Sequence, residues 1–220
     1  MPCWQAPRRQ RFRGGHGMRV GLIGVGMIGS RVAAEARGRG HEVTAATRSG
    51  KGGTRVVDAN DAAAVADLAA GQDAVVLSVR VASEAGDPLL AVGRPLLDGL
   101  REAGVRRLVV VGGAGSLEVA PGVRIIDVAD IPDVYKREAL AQADLLDLIR
   151  ADADDLEWTY ISPGGTIEPG KRTGVFRVGD DQLLVDDEGN SRISSEDYAV
   201  ALVDELEKGE NIRRRINVAY

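Results

Sequence analysis

The sequence predicts an α/β fold, a mostly parallel sheet with helices on both faces, and three observations predict it. Short apolar runs rich in Val, Ile and Leu alternate with alanine- and leucine-rich helical runs along most of the chain. Those apolar runs hold few charges, as strands buried on both faces do. Glycine-rich turns follow directly on two of them, at Gly24–Gly29 and at Gly112–Gly115. Alternation of this kind builds a doubly wound, Rossmann-type parallel sheet with right-handed crossovers, whose ligands lie outside the carboxyl ends of the strands.

The first strand is Val20, Leu22 and Ile23, and Gly24, Gly26 and Gly29 follow at G-x-G-x-x-G spacing. Gly24 allows the tight turn, Gly26 lets the backbone approach a pyrophosphate, and Gly29 lets helix pack on strand. The helix opening at Met27 and Ile28 turns its free N–H groups and positive dipole end towards the phosphates. A lone glycine fingerprint is weak evidence; its place between a strand and an alanine-rich helix makes a dinucleotide site the reading here. The second strand, His41 to Thr47, runs into Arg48, Ser49 and Lys51 with no acid among them. An NAD-preferring unit places Asp or Glu there for the ribose 2′-OH, whereas a guanidinium can hold a 2′-phosphate. Arg48 therefore points to NADP(H) as the preferred cofactor with NAD(H) as a second choice; the plain alternative is a solvated loop residue.

Arg55 to Val57 is a short third strand closed by Asp58, an acid placed to meet the adenine amino group or to cap the next helix. Asn60 or Asp61 caps the helix that runs to Ala70. Asp73 to Ser78 is the fourth strand, and Ser78 and Val79 at its end fall where ribose and pyrophosphate lie. A polar loop at 83–87 and a helix to about Ala103 precede the fifth strand, Arg107 to Val111. Gly112 and Gly113 then allow close backbone approach to a nicotinamide, with Ser116 offering a hydroxyl; the alternative is loop chemistry alone. Residues 117–134 form an aperiodic excursion. A strong helix runs from Tyr135 to Arg150, and Trp158 to Ser162 is the sixth strand, stopped by Pro163. Thr173 to Val178 and Gln182 to Asp186 can pair as a hairpin about Gly179, Asp180 and Asp181, so that 163–193 forms a small cap on the substrate side. Ser194 or Ser195 caps the last helix, and Arg215 to Ala219 is a final strand. The single nucleotide-binding domain spans 18–220.

The 220 residues carry a net charge of −5, which argues against general nucleic-acid binding. No apolar run approaches the roughly 20 residues that cross a bilayer. The one cysteine, Cys3, has no internal partner, so a reducing cytoplasm is the simple expectation. Residues 1–17 hold four arginines and little apolar content; they read as a disordered, dispensable basic extension, with Met18 as an alternative start, or as a basic arm or targeting peptide. His16 and His41 are the only histidines, too few for a metal cluster, and no nucleophile–base pair stands out.

Taken together, the glycine turn with Gly40-His-Glu-Val-Thr44 and Arg48, Asp58, Val110-Val-Gly-Gly-Ala-Gly-Ser116, Trp158-Thr-Tyr-Ile-Ser-Pro163, Pro169-Gly-Lys-Arg-Thr-Gly174 and Ile193-Ser-Ser-Glu-Asp-Tyr-Ala199 resemble the atypical short-chain dehydrogenase/reductase group. More narrowly, the chain is similar to its small NAD(P)H-binding, NADH-flavin-reductase-like and NmrA-like members. Two departures stand out. The group's usual G-x-x-G opening is one residue longer than Gly24-Val25-Gly26. And the Tyr-x-x-x-Lys pair of ordinary short-chain dehydrogenases is missing: four residues after Tyr135 stands Ala139, and Lys136, the next residue, points about 100° away. The atypical group commonly lacks that pair. The resemblance implies an NAD(P)H-dependent reductase of a flavin, quinone or similar small acceptor, with Ser116 and Tyr135 as the catalytic candidates and Ser162 and Pro163 beside the nicotinamide. It implies no membrane or nucleic-acid partner, and a monomer or homodimer. The alternatives are a non-catalytic NAD(P) sensor and an epimerase- or dehydratase-like enzyme.

Overall fold

The computed structural model describes residues 17–80 and 89–220. The proposed basic extension, with Cys3 and His16, and the polar loop at 83–87 lie outside the described residues.

One face of the sheet is covered by α2 (Ala62–Ala69), α3 (Leu89–Ala103) and α5 (Asp133–Asp152), and the other by α1 (Met27–Gly38) and α6 (Ser195–Lys208). The strands between them are β1 (Arg19–Ile23), β2 (Glu42–Thr47), β3 (Arg55–Val56), β4 (Ala74–Leu77), β5 (Arg107–Val111), β8 (Glu157–Pro163), β10 (Arg177–Gly179) and β12 (Arg214–Ala219), in the order β10-β12-β8-β5-β4-β1-β2-β3. Only the β10–β12 pairing is antiparallel. From β1 the chain winds outward through β2 to β3, then returns to place β4 on the other side of β1. The order reverses there, and at such a switch point a crevice opens beyond the strand ends. β4 and β5 are buried along their whole lengths, which explains their unbroken Val and Leu content.

The excursion after β5 holds a small hairpin, β6 (Glu118–Ala120) with β7 (Val123–Arg124), and the single turn α4 (Ile125–Val128). Asp61 caps α2, accepting from the amides of Ala63 and Ala64, and Ser194 caps α6 by accepting from Asp197 N. The anticipated hairpin of 173–178 with 182–186 does not form. Arg177–Gly179 instead adds to the open edge of β12, with Arg177 opposite Ala219. Its would-be partner is drawn elsewhere: Gln182 bridges Glu118, and Leu184 N donates to Oδ1 of the buried Asn217. The turn between them is pulled inward by charge, Asp180 pairing with Arg214 and Asp181 with Arg215. Within 163–193, β9 (Thr166–Glu168) instead pairs in parallel with β11 (Arg192–Ser194).

The loop after β9 is strapped to both helices of its face. Asp197 accepts from Thr173 N and Oγ1, from Gly174 N and from the Tyr220 phenol. Arg172 forks onto Glu35 of α1, which Arg39 also holds. Hydrogen bonds from Arg172 draw the Glu35 carboxyl from its usual 4.5 down to about 2, against the opposing effect of burial and with help from Arg39. A carboxyl depressed in the folded state contributes stability above its unfolded value and loses it as pH falls through the folded one. Urea midpoints should therefore drop between about pH 4.5 and about pH 2, and Glu35→Gln should flatten that limb. An unaltered acid limb in the variant would refute this role.

Two buried or strained arginines complete the frame. Arg107 at the start of β5 is buried, donating through Nη2 to Glu205 of α6 at 2.9 Å and through Nη1 to Thr159 at 2.8 Å. Arg213, just before β12, has φ +57, the only positive φ at a non-glycine described residue. That conformation costs an L-residue roughly 1–2 kcal/mol.

Candidate functional site

At the carboxyl end of β1 the three glycines meet three different surroundings. Gly24 has φ +95, and a Cβ there would stand 2.0 Å from the Ser78 carbonyl oxygen. Its amide donates to Ala46 O at 2.8 Å, and Ser78 N donates to Ile23 O at 2.7 Å, so the turn is pinned between β2 and β4. A Cβ on Gly29 would fall 2.1 Å from Gly24 O, which is helix packed hard on turn. A Cβ on Gly26 would meet nothing within 4 Å. The one open glycine is the one assigned to phosphate approach. Gly26 is also the N-cap of α1, with no side chain capping the helix and no acid in its first turn. The amides of Met27 and Ile28 thus open a helix end with its positive pole uncompensated, a fit to a pyrophosphate. Ser78 and Val79 border the same turn, the Ser78 hydroxyl facing Gly29 and Val79 packing on the α2–α3–α5 core.

The segment that the sequence assigns to the ribose follows β2. Arg48 and Ser49 are exposed in the turn after Thr47, whose hydroxyl accepts from Gly50 N at 3.1 Å and bonds the Thr54 hydroxyl at 2.8 Å. Gly50, Gly52 and Gly53 have φ +65, +68 and +76. Turns that alternate right- and left-handed residues can gather backbone N–H groups into an anion-binding concavity. Arg48 precedes and Lys51 follows the first of these glycines. Asp58 is exposed past β3, and its Oδ1 accepts from Asn60 N and Nδ2, closing a local turn.

Beyond β5, a Cβ on Gly112 would stand 2.0 Å from the Tyr160 ring, so only glycine fits. The next peptide is held at both groups. Gly113 N donates to Tyr160 Oη at 3.1 Å, and Gly113 O accepts from Ser162 Oγ at 2.8 Å. The Tyr160 phenol in turn lies 2.9 Å from both Gln142 O and Oε1 on α5. Tyr160 is fully buried, and that burial pushes its phenol pKa up, so it remains a neutral hydrogen-bonding strut. Ser162 is equally buried and acts on the surface only through Gly113. The Asn217 amide fixes the carbonyls of Ser162 and Pro163 from β12.

The two catalytic candidates are not joined. Ser116 Oγ accepts from Arg215 Nη1 at 3.4 Å, facing β12. Tyr135 stands 58 % exposed in the first turn of α5, and Ala139, one turn on, packs beside Gly115. Arg80, beyond β4, forks onto Glu138 of α5, with Nε at 3.0 Å from Oε1 and Nη2 at 2.8 Å from Oε2. The sequence points to Arg80 only as a strand end and to neither Glu138 nor Gln142, since nothing local signals a pair 58 residues apart.

A family model described as NAD(P)H-binding matches residues 24–208. The uncharacterised Bacillus subtilis protein YwnB is 38 % identical over 213 residues, covering 91 % of this chain and 98 % of its own. A solved structure from Burkholderia pseudomallei, provisionally assigned as an exported protein, is 48 % identical with a TM-score of 0.85, over 92 % of this chain and 100 % of that one. Another, from Streptococcus pneumoniae TIGR4 and provisionally assigned as an NADH-flavin reductase, is 35 % identical with a TM-score of 0.78, over 92 % and 99 %.

Proposed function

The chain belongs to the NAD(P)H-binding family, and we propose that it binds NADPH in preference to NADH and reduces a flavin, a quinone or a similar small acceptor. The bound nucleotide supplies the hydride. The observation that carries this reading is that, among the described residues, no proton donor is placed above the second glycine turn. Tyr160 is locked between Gly113 and Gln142, Ser116 faces Arg215, and Tyr135 has Ala139 rather than a lysine one turn later. Carbonyl reduction needs such a donor; an acceptor that takes its proton from water does not. What the chain offers instead is a fixed glycine floor, and the exposed Tyr135 is the candidate to face a planar acceptor.

The preference for NADPH rests on Arg48, Lys51 and the left-handed glycines after β2, which suit a 2′-phosphate, and on the sequence having no acid among residues 43–54. Arg48→Ala should weaken NADPH binding roughly tenfold or more while leaving NADH nearly unchanged, as measured by titration. Equal losses for both nucleotides would remove the preference. Steady-state NADPH oxidation with FMN and with a quinone tests the reaction itself. Acceptor-dependent turnover supports the reductase; tight binding without turnover supports the non-catalytic sensor; nicotinamide retained through purification, with no oxidation, supports the epimerase-like alternative.

The same reading places the protein in the cytoplasm as a monomer or homodimer acting on small molecules. No described helix is long and apolar enough to cross a membrane.

A further inference from the structure

The glycine turns follow the last residues of β1 and β5, but a cavity of about 360 Å³ lies towards the opposite end of the sheet. Trp158, the second residue of β8, and Arg214, the first of β12, wall it, together with Arg213, Arg215, the Asp180–Asp181 corner, and Arg150 and Asp154 where α5 ends. Most of these charges satisfy one another. Asp181 takes both Arg215, at 2.7 Å from Nε, and Arg150, at 2.9 Å, while Asp180 takes Arg214 at 2.8 Å.

Asp154 is exposed and without an ion pair among the described residues, and Arg213 is left over as well. Its guanidinium donates from Nε to the Leu156 carbonyl at 3.1 Å, and its two terminal amino groups have no partner among the described residues. Its backbone is at φ +57, where glycine or asparagine would hold the same turn without strain. Its amide donates to Trp158 O, which ties that strained residue to the cavity wall. A residue that strains the backbone yet adds no ion pair to the fold is more readily explained by what its side chain can receive. The open side of a guanidinium is a bidentate donor for an oxyanion, whereas Arg214, half-exposed beside it, is held by Asp180 and leaves the binding to Arg213. The indole of Trp158 gives the same space an apolar wall, and the volume exceeds what a lone phosphate fills.

We propose that this cavity is a second ligand site, separate from the nucleotide turn, which binds a small organic phosphate through the Arg213 guanidinium. The chain's two tryptophans are Trp4 and Trp158, so in the full chain carrying Trp4→Phe the fluorescence reports on the cavity. Titration with glycerol 3-phosphate should give a saturable change that potassium chloride at matched ionic strength does not. Adding Arg213→Gly, which suits φ +57, should hold or raise the thermal midpoint, leave NADPH affinity unchanged and weaken the phosphate at least about tenfold. A flat titration, a response equal to that of chloride, or one that survives Arg213→Gly would each overturn the proposal.

Discussion

Gly26→Ala should fold as well as the parent, to within about 1 kcal/mol, yet lose at least about tenfold in nucleotide affinity. The methyl group meets no protein atom within 4 Å, so only a ligand would feel it. Gly24→Ala and Gly29→Ala should fail differently. Their methyl groups run into the backbone oxygens of Ser78 and Gly24 at 2.0 and 2.1 Å, and Gly24 is also held at φ +95. Backbone oxygens in a pinned turn cannot step aside as a flexible side chain can, so these variants should lose stability and binding together. Thermal melts read beside NADPH titrations separate the two classes. If Gly26→Ala binds as tightly as the parent, no phosphate approaches that backbone and the site lies elsewhere.

Glu205→Ala should be among the most destabilising single changes in the protein. Glu205 faces Arg107 and accepts from Thr159 Oγ1, Asn211 N and Asn211 Nδ2 as well. Without it, a guanidinium 9 % exposed keeps its charge in a region already short of acceptors, the Arg107 Nε being buried and unpartnered. Breaking such a pair from one side costs about 3–5 kcal/mol, which for a chain of this length lowers the melting point by on the order of 10 °C. Replacing both partners with methionine should recover most of that loss, because it is the orphaned charge that destabilises. A Glu205→Ala protein within about 1 kcal/mol of the parent would show that Arg107 reaches water.

The parts of this molecule that were legible in the sequence are those whose cause is local. The glycine turn at 24–29, the buried runs of β4 and β5 and the Ser194 cap each depend on residues within a few positions of one another. The pairing of β10 was not legible. Residues 173–186 have the alternation and the turn of a hairpin, but the open edge of β12, some forty residues on, and Arg214 and Arg215 compete for them and win. The candidate site divides in the same way. Gly112 and Gly113 stand out as a turn, while the reason that turn is rigid comes from Tyr160, Ser162 and Gln142 on two other elements. Ser116 looked like a free hydroxyl because Arg215, its partner, lies 99 residues away.

The eight-stranded sheet tapers at both margins, to two residues in β3 and three in β10. Exposed edges are where one chain templates another, and the length of unpaired ladder sets how readily that happens. With so little ladder at either margin, concentrated solutions should stay free of fibrils and of sheets continued from molecule to molecule. Association through the two margins of this sheet is thereby disfavoured, and substitutions on the helical faces leave the strands that carry the glycine turns untouched.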